Sequence, residues 1–303
     1  MPISNIDSAL ERTYGFFRQR QTKEGVLARQ MFDPDPADLQ LVDHLIRERR
    51  RITRMDGSVD GSLIRTAWVA WELLELGCPT DHAAVVRTVG WLLQQQDAGG
   101  HALEGCTPER HETHECHHFV TGLFSPGPRD SQLAPLTLPC GVVFANEEDA
   151  RLAASFFALR TVLRAREERR GAVRRHLASL ASLAEGWING HAGRSLNLAL
   201  LAIAALSAAP REYRQEAASL MNWVLDQQAA DGGENGTHLF LALEALLAMP
   251  IPAAMEAIRT TIPTLVNLQR ESGAFDDAEC EVIALIGLRA LALVRDLQLQ
   301  HGE

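Results

Sequence analysis

Three stretches of the chain resemble one another: GWLLQQQDAGG (90–100), MNWVLDQQAADGG (221–233) and TLVNLQRESGAF (264–275), with a weaker copy in LAEGWINGHAG (183–193). Each is an apolar helix end, a Gln, a few polar residues and then Gly. One such glycine per unit, at Gly57, Gly100, Gly141, Gly190, Gly233 and Gly273, recurs every 40 to 49 residues. That is the length of two helices and two turns. A period of this size marks stacked supersecondary units, and a glycine in the left-handed conformation can end the first helix of each.

Nearly every long segment between the glycines reads as helix. Residues 152–165, 196–208 and 282–297 are rich in Ala and Leu on more than one face, which predicts burial on several sides. Residues 83–96 and 211–228 are amphipathic. No stretch alternates as a strand does, so the class is all-α. An open solenoid needs polar caps at both ends. Here the last helix is strongly apolar and the first, about 5–20, has one apolar stripe. Closing the array on itself hides both ends. The expectation is one domain over 1–303, an (α/α)6 toroid of about six helical hairpins. Its inner helices fall near 60–76, 112–124, 147–165, 193–207, 236–249 and 277–297. The helix at about 5–20 closes the ring, and a long His/Cys-bearing loop covers about 98–118.

Composition narrows the partners. Net charge is −10, which argues against a general nucleic-acid or anionic-membrane binder. The basic runs at 47–54 and 164–175 sit among helix formers and read as solvated helix faces. No apolar stretch is long enough and free enough of charge to span a membrane. MPISNIDSALERTYGFF lacks the pattern of a secretion signal. Five cysteines, odd in number and widely spaced, do not make a disulfide framework. The expected setting is cytoplasmic, with reduced thiols.

If each glycine turn leads into an inner helix, the inner N-termini share one rim, with their positive dipole ends facing a common mouth. The residues just after the glycines are then the candidate site. They include Asp60, His111 through His118, Glu147, Glu148, Asp149, His238, Asp276, Asp277, Cys280 and Glu281.

One stretch on this rim stands out. RHETHECHHF (110–119) holds four of the eleven histidines and one of the five cysteines. On a helix starting near residue 111, His111, His114 and His118 share a face, and His114 and His118 form the i, i+4 pair that can hold one metal. Cys116 and His117 complete the candidate ligands. Glu115 can orient an imidazole or act as a base. Imidazole and thiolate suit zinc best, then iron or copper. The bland alternative is a polar, solvated loop.

The Gln-x-x-x-Gly-like turn followed by an inner helix resembles the repeat of terpenoid cyclases and protein-prenyltransferase β subunits, over most of residues 50–297. The resemblance implies a toroid and a rim-facing cavity, but it is weakly specific for function. HECHHF (114–119) looks like the prenyltransferase stretch that supplies a zinc-binding His, which puts His114 in that place. Their Asp-x-Cys ligand pair falls near DDAEC (276–280), where the spacing is Asp-x-x-Cys, off by one. The alkene-protonating Asp-x-Asp-Asp of one cyclase class is missing, as are DDxxD and DDxxE.

The leading expectation is a metal-dependent transferase or cyclase acting on a small, largely apolar, isoprenoid-like substrate. Asp60, Glu115, Asp277 and Cys280 are its candidate catalytic residues. Two alternatives stay open. One is a metal-free terpene cyclase with a rim carboxylate such as Asp60 or Asp277 as acid. The other is a non-catalytic toroid that binds a peptide or protein partner and carries a structural zinc clip.

Overall fold

Four of the six repeat glycines lie within the residues that the computed structural model describes, which are 3–96, 101–102, 119–120, 122–124, 132–190, 195–230, 238–249 and 251–301. All four take the left-handed backbone, with φ of 96° at Gly57, 87° at Gly141, 75° at Gly190 and 90° at Gly273. Three of these turns are built alike. The Arg54 N–H donates to the Ser58 carbonyl at 2.8 Å and the Gly57 N–H to the Arg54 carbonyl at 3.0 Å. Leu138, Gly141 and Val142 repeat the pattern at 2.8 and 2.9 Å, and Arg270, Gly273 and Ala274 at 2.9 and 3.0 Å. Three of the repeat glycines therefore share one hydrogen-bonded turn.

The elements run α1 (Ile3–Phe17), α2 (Lys23–Phe32), α3 (Asp38–Ile52), α4 (Leu63–Glu75), α5 (Ala83–Gln94), β1 (His101–Ala102), β2 (Phe119–Val120), β3 (Leu136–Thr137), β4 (Val143–Phe144), α6 (Glu147–Arg164), α7 (Gly171–Ile188), α8 (Leu196–Ser207), a 3-10 turn (Arg211–Tyr213), α9 (Arg214–Ala230), α10 (Leu239–Ala248), α11 (Pro252–Leu268) and α12 (Glu281–His301). The described chain is all-α, and its four strands have two residues each. Several helices start on a side chain that accepts an otherwise orphaned N–H. Thr22 caps α2, Ser62 caps α4, Asn146 caps α6 and Ser195 caps α8. No described helix is long and apolar enough to cross a membrane.

One expected helix, 112–124, is not helical at its described end. Phe119 and Val120 pair antiparallel with Ala102 and His101, Phe124 bridges Gln96, and 122–124 are not helical. The run Phe-Val-Thr favours extended backbone, and Gly122 at φ 83° breaks any helix through it. The rest of the expected inner helix, 112–118, lies outside the described residues. Conversely, α2 is a helix that the expected inner set does not contain.

The chain divides into two units. Unit I is Met1–Glu48, Leu138–Val142 and Thr237–Glu303, and unit II is Arg49–Thr137 and Val143–Gly236. In unit II, α4 packs on α6 and α6 on α8, while α5, α7 and α9 pack behind them. The two sets differ as their sequences predict. Residues 152–163 of α6 and 198–206 of α8 are all buried. In contrast, α7 buries one stripe, Val173, His176, Leu177, Leu180, Leu183, Ala184 and Trp187. Each fully buried Leu, Val or Phe contributes roughly 1.5–3 kcal/mol. In unit I, α10 and α2 pack on α12, with α11 and α1 behind them.

A glutamine ties each of two hairpin ends to another helix. Gln96, just past α5, donates through Nε2 to the carbonyls of Gly122 at 2.5 Å and Ala172 at 2.7 Å, and its Oε1 accepts from Arg175. Gln269, just past α11, donates to the Ala9 carbonyl at 2.8 Å and Thr13 Oγ1 at 2.6 Å, and its Oε1 accepts from Arg12. The same side chain at the same place in the repeat therefore fastens α5 to α7 in unit II and α11 to α1 in unit I.

Candidate functional site

The cluster His111, His114, Glu115, Cys116, His117 and His118 lies outside the described residues. Among the described residues, no three or more His, Cys, Asp or Glu side chains are grouped to hold a metal ion.

Asp60 belongs to unit II. It sits in the turn before α4 with φ 54°, about half exposed, and pairs with Arg65 and, at 3.7 Å, with Arg54. Glu147, the first residue of α6, has a structural job. Its carboxylate accepts the N–H groups of Leu133 and Ala134, each at 2.8 Å, and meets Arg151 at 2.7 Å. Burial disfavours its charge, but those two N–H groups and Arg151 outweigh burial and hold its carboxyl below the usual range.

Glu148 and Asp149 share the first turn of α6 with Glu147. Asp276, Asp277, Cys280 and Glu281 gather in unit I, where α12 begins, and His238 belongs to the same unit. Asp277 is 88% exposed and pairs with Arg270. Asp276 Oδ1 accepts the Cys280 N–H at 2.8 Å, and the Cys280 carbonyl accepts the Ala284 N–H at 3.0 Å, so Cys280 is the residue that opens the helix. The Cys280 thiol donates to the Pro139 carbonyl at 3.6 Å. Next along the chain is Cys140, in the buried turn over Leu138–Val142. Its thiol is pushed up to about 12 by burial first, then by the nearby charge of Glu244 and by Cys280. His238, just before α10, has its Nε2 3.7 Å from where a Cβ on Gly141 would sit. Burial pushes its imidazole down from the ordinary value. Aromatic packing backs this corner, His238 on Phe240 and Phe240 on Phe275, at 6.2 and 5.9 Å between ring centroids.

A charged flank adjoins the thiols. Glu281 accepts from Thr22 and from Arg20 at 3.0 Å, and Arg20 also reaches Glu279 at 3.2 Å. Thr22 caps α2 and Glu281 is the first residue of α12, so these two helix starts meet here, although α2 is not among the expected inner helices. Beside them is Lys23, the one lysine in a chain that otherwise uses arginine. Its side chain is 3% exposed and pairs with Glu24 at 3.1 Å.

Chemically, the corner pairs a Cys140 thiol that keeps its proton with an imidazole that burial keeps neutral. It is not a thiolate–imidazolium pair, so Cys140 is no ready nucleophile in this state. The sequence singles out Cys280 and His238 but gives Cys140 no role. The turn signature Pro139-Cys140-Gly141 is visible in it, yet nothing local says what the turn packs against.

Unit II holds a second pairing of a kind that sequence reasoning cannot find. His176, fully buried in α7, accepts the Phe124 N–H on Nδ1 at 3.3 Å. Its proton is then on Nε2, 3.4 Å from the Oγ of buried Ser155. The imidazole donates to the serine, the reverse of a base that activates a hydroxyl. The pair fills the core.

Compared with known proteins, the chain matches no family model, and no curated protein matches it significantly.

Proposed function

We propose that the twelve helices among the described residues form an (α/α)6 toroid, odd-numbered helices outside and even-numbered inside, and that the chain is a metal-dependent enzyme. Its substrate is small and largely apolar, isoprenoid-like in chemistry, and is held in the central cavity. The observation that carries the reading is the glutamine staple. Gln269 fastens the penultimate helix α11 to the first helix α1 in the way that Gln96 fastens α5 to α7. That the last hairpin holds the first helix by the device used between interior hairpins supports a closed ring.

The metal, zinc before iron or copper, is assigned to His111, His114, Cys116, His117 and His118, whose donor chemistry fits it. When bound it would polarise a substrate group or activate a water or thiol. The helix starts that carry Thr22, His238, Cys280 and Glu281 supply the polar mouth. The metal-free alternative draws little from Asp60 and Asp277. Both are exposed and engaged by arginines, unlike the dry setting that an alkene-protonating acid needs.

Elemental analysis of untagged protein beside a His114→Ala/His118→Ala variant tests this. About one equivalent of metal, lost in the variant with the helical circular-dichroism spectrum kept, is the expected result. No metal in either protein after reconstitution overturns it. A site closed by four protein ligands, without an open position, would favour the structural zinc clip.

A further inference from the structure

The corner where α12 begins holds a feature that the proposed metal chemistry does not use. Cys280 and Cys140 approach each other from chain segments 140 residues apart, both as free thiols. Cys280 Sγ lies 3.6 Å from the Pro139 carbonyl oxygen. Across a planar trans peptide that oxygen is ~2.8 Å from the Cα of the next residue. The Cys280 sulfur is therefore no farther than ~6.4 Å from the Cys140 Cα; a disulfide needs about 4 Å there, so side-chain rotation at one or both cysteines has to close the remaining gap.

Both partners are held in place. Cys140 sits in a turn closed by the Leu138–Val142 and Gly141–Leu138 hydrogen bonds at 2.8 and 2.9 Å. Cys280 is fixed by Asp276 at its N–H and by α12 at its carbonyl. Their exposure differs. Cys140 is 3% exposed, whereas Cys280 is only partly buried. An oxidant from solvent meets Cys280 first.

The geometry points to Cys140 and Cys280 as a redox-active dithiol that a hydroperoxide closes into a disulfide, fastening the turn over Leu138–Val142 to the start of α12. The Cys280 sulfur attacks the peroxide oxygen, forming Cys280 sulfenic acid and releasing the alcohol, or water from hydrogen peroxide. The Cys140 sulfur then attacks the sulfenic sulfur. The S–S bond forms, the S–O bond breaks, and the displaced hydroxide leaves as water with the Cys140 proton. Each sulfur gives up one electron and the peroxide takes two. His238, whose Nε2 lies 3.7 Å from where a Cβ on Gly141 would sit, is the side chain placed to relay that proton to water. A reducing dithiol reverses the bond.

The sequence makes the test clean. Cleavage after arginine puts each of the five cysteines on its own peptide, with Cys140 in 130–151 and Cys280 in 271–289. Folded, reduced protein is treated with stoichiometric hydrogen peroxide, remaining thiols are alkylated, and the peptides are mapped by mass spectrometry. The expected result is a 130–151/271–289 cross-link, absent in Cys140→Ser and Cys280→Ser and removed by a dithiol. A Tm several degrees above that of the reduced protein should accompany it. His238→Gln should slow the closure severalfold while leaving peroxide consumption at Cys280 unchanged. Both peptides recovered singly alkylated or singly oxidised, or Cys140 paired with Cys78, Cys106 or Cys116 instead, overturns the proposal. The decisive measurement uses the unmodified chain, so it does not depend on either variant folding.

Discussion

Gln269 and Arg12 are joined by two hydrogen bonds, from Nε at 2.9 Å and Nη2 at 2.6 Å, and the free end of the same carboxamide grips the Ala9 carbonyl and Thr13. The guanidinium orients the amide, so both NH2 protons reach buried acceptors on α1. Gln269→Ala removes two hydrogen bonds to buried groups of α1, although the Thr13 hydroxyl still donates to the Ala9 carbonyl at 3.1 Å, and should cost about 1–3 kcal/mol. Arg12→Ala removes only the outer, more exposed bonds and should cost less than about 1 kcal/mol. Gln96→Ala, with Arg175→Ala as its outer partner, should repeat that ordering in unit II. Urea midpoints of the four variants check it. Equal costs for the glutamine and arginine changes would mean the staple acts through charge, not through the buried amide.

The repeat glycines make a second, sharper test. A Cβ on Gly57 would lie 2.2 Å from the Arg87 carbonyl oxygen, and one on Gly273 2.2 Å from the Arg12 carbonyl oxygen. Both also have positive φ. Gly57→Ala and Gly273→Ala must therefore take on conformational strain and push a helix backbone away, and should each cost more than about 2 kcal/mol. Gly77 separates the two effects. Its φ is 84° but nothing lies within 4 Å of an added Cβ. Gly77→Ala should cost only about 1 kcal/mol. If all three cost the same, close approach contributes nothing and the turns do not seat against α5 and α1.

These glycines and glutamines are legible in the sequence because their chemistry is local. A left-handed turn favours glycine, which makes the period visible, although Arg166 takes the same backbone after α6 at φ 64°. The helix expected over 112–124 fails in its described part because Phe119-Val120 pairs with 101–102, a choice made by a partner strand and not by the run itself. Helix α2 does not read as a packed helix because KEGVLARQMF is polar. Its Lys23, Glu24 and Arg29 are buried with partners, and pairing cannot be seen in a one-dimensional pattern. Cys280 is readable as a candidate, but its contact comes from a turn 141 residues away.

Arg29 shows how such burial is satisfied. Nε and Nη2 fork onto Asp38 at 2.6–3.2 Å, while Nη1 donates to the carbonyls of Phe17 at 2.9 Å and Arg20 at 3.0 Å, beyond the last turn of α1. The hydrogen bond to Asp38 is the main reason its guanidinium holds its proton more tightly than usual. Arg29→Ala leaves the buried Asp38 carboxylate without its guanidinium and should cost about 3–5 kcal/mol. Arg29→Lys keeps the charge but loses the fork and should recover less than half of that. Thermal unfolding of both variants decides it. A lysine variant as stable as the parent would show that charge alone suffices.

Cys140 sets the alkaline limit of this corner. Its thiol ionises at 9.0 when fully solvated and at about 12 in the fold, with burial the main cause. The folded chain keeps a proton that the unfolded chain loses. This contribution is complete below pH 9 and drains away as pH climbs from 9 toward 12. Across that window the slope approaches 1.4 kcal/mol per pH unit for one proton, as an upper estimate of roughly that order. Cys140→Ala cannot ionise. Its unfolding free energy, measured under reducing conditions, should be lower than the parent's at pH 8 yet fall less steeply between pH 9 and 10.5. His238 limits the acid side with the opposite sign. Burial depresses its folded value below 6.5, so its contribution is present above pH 6.5 and is lost as pH drops through the folded value. His238→Gln should flatten the acid limb and leave the alkaline limb unchanged. If Cys140→Ala and the parent ran parallel above pH 9, the Cys140 thiol would be solvated in the fold, and the burial that sets it apart from Cys280 would not exist.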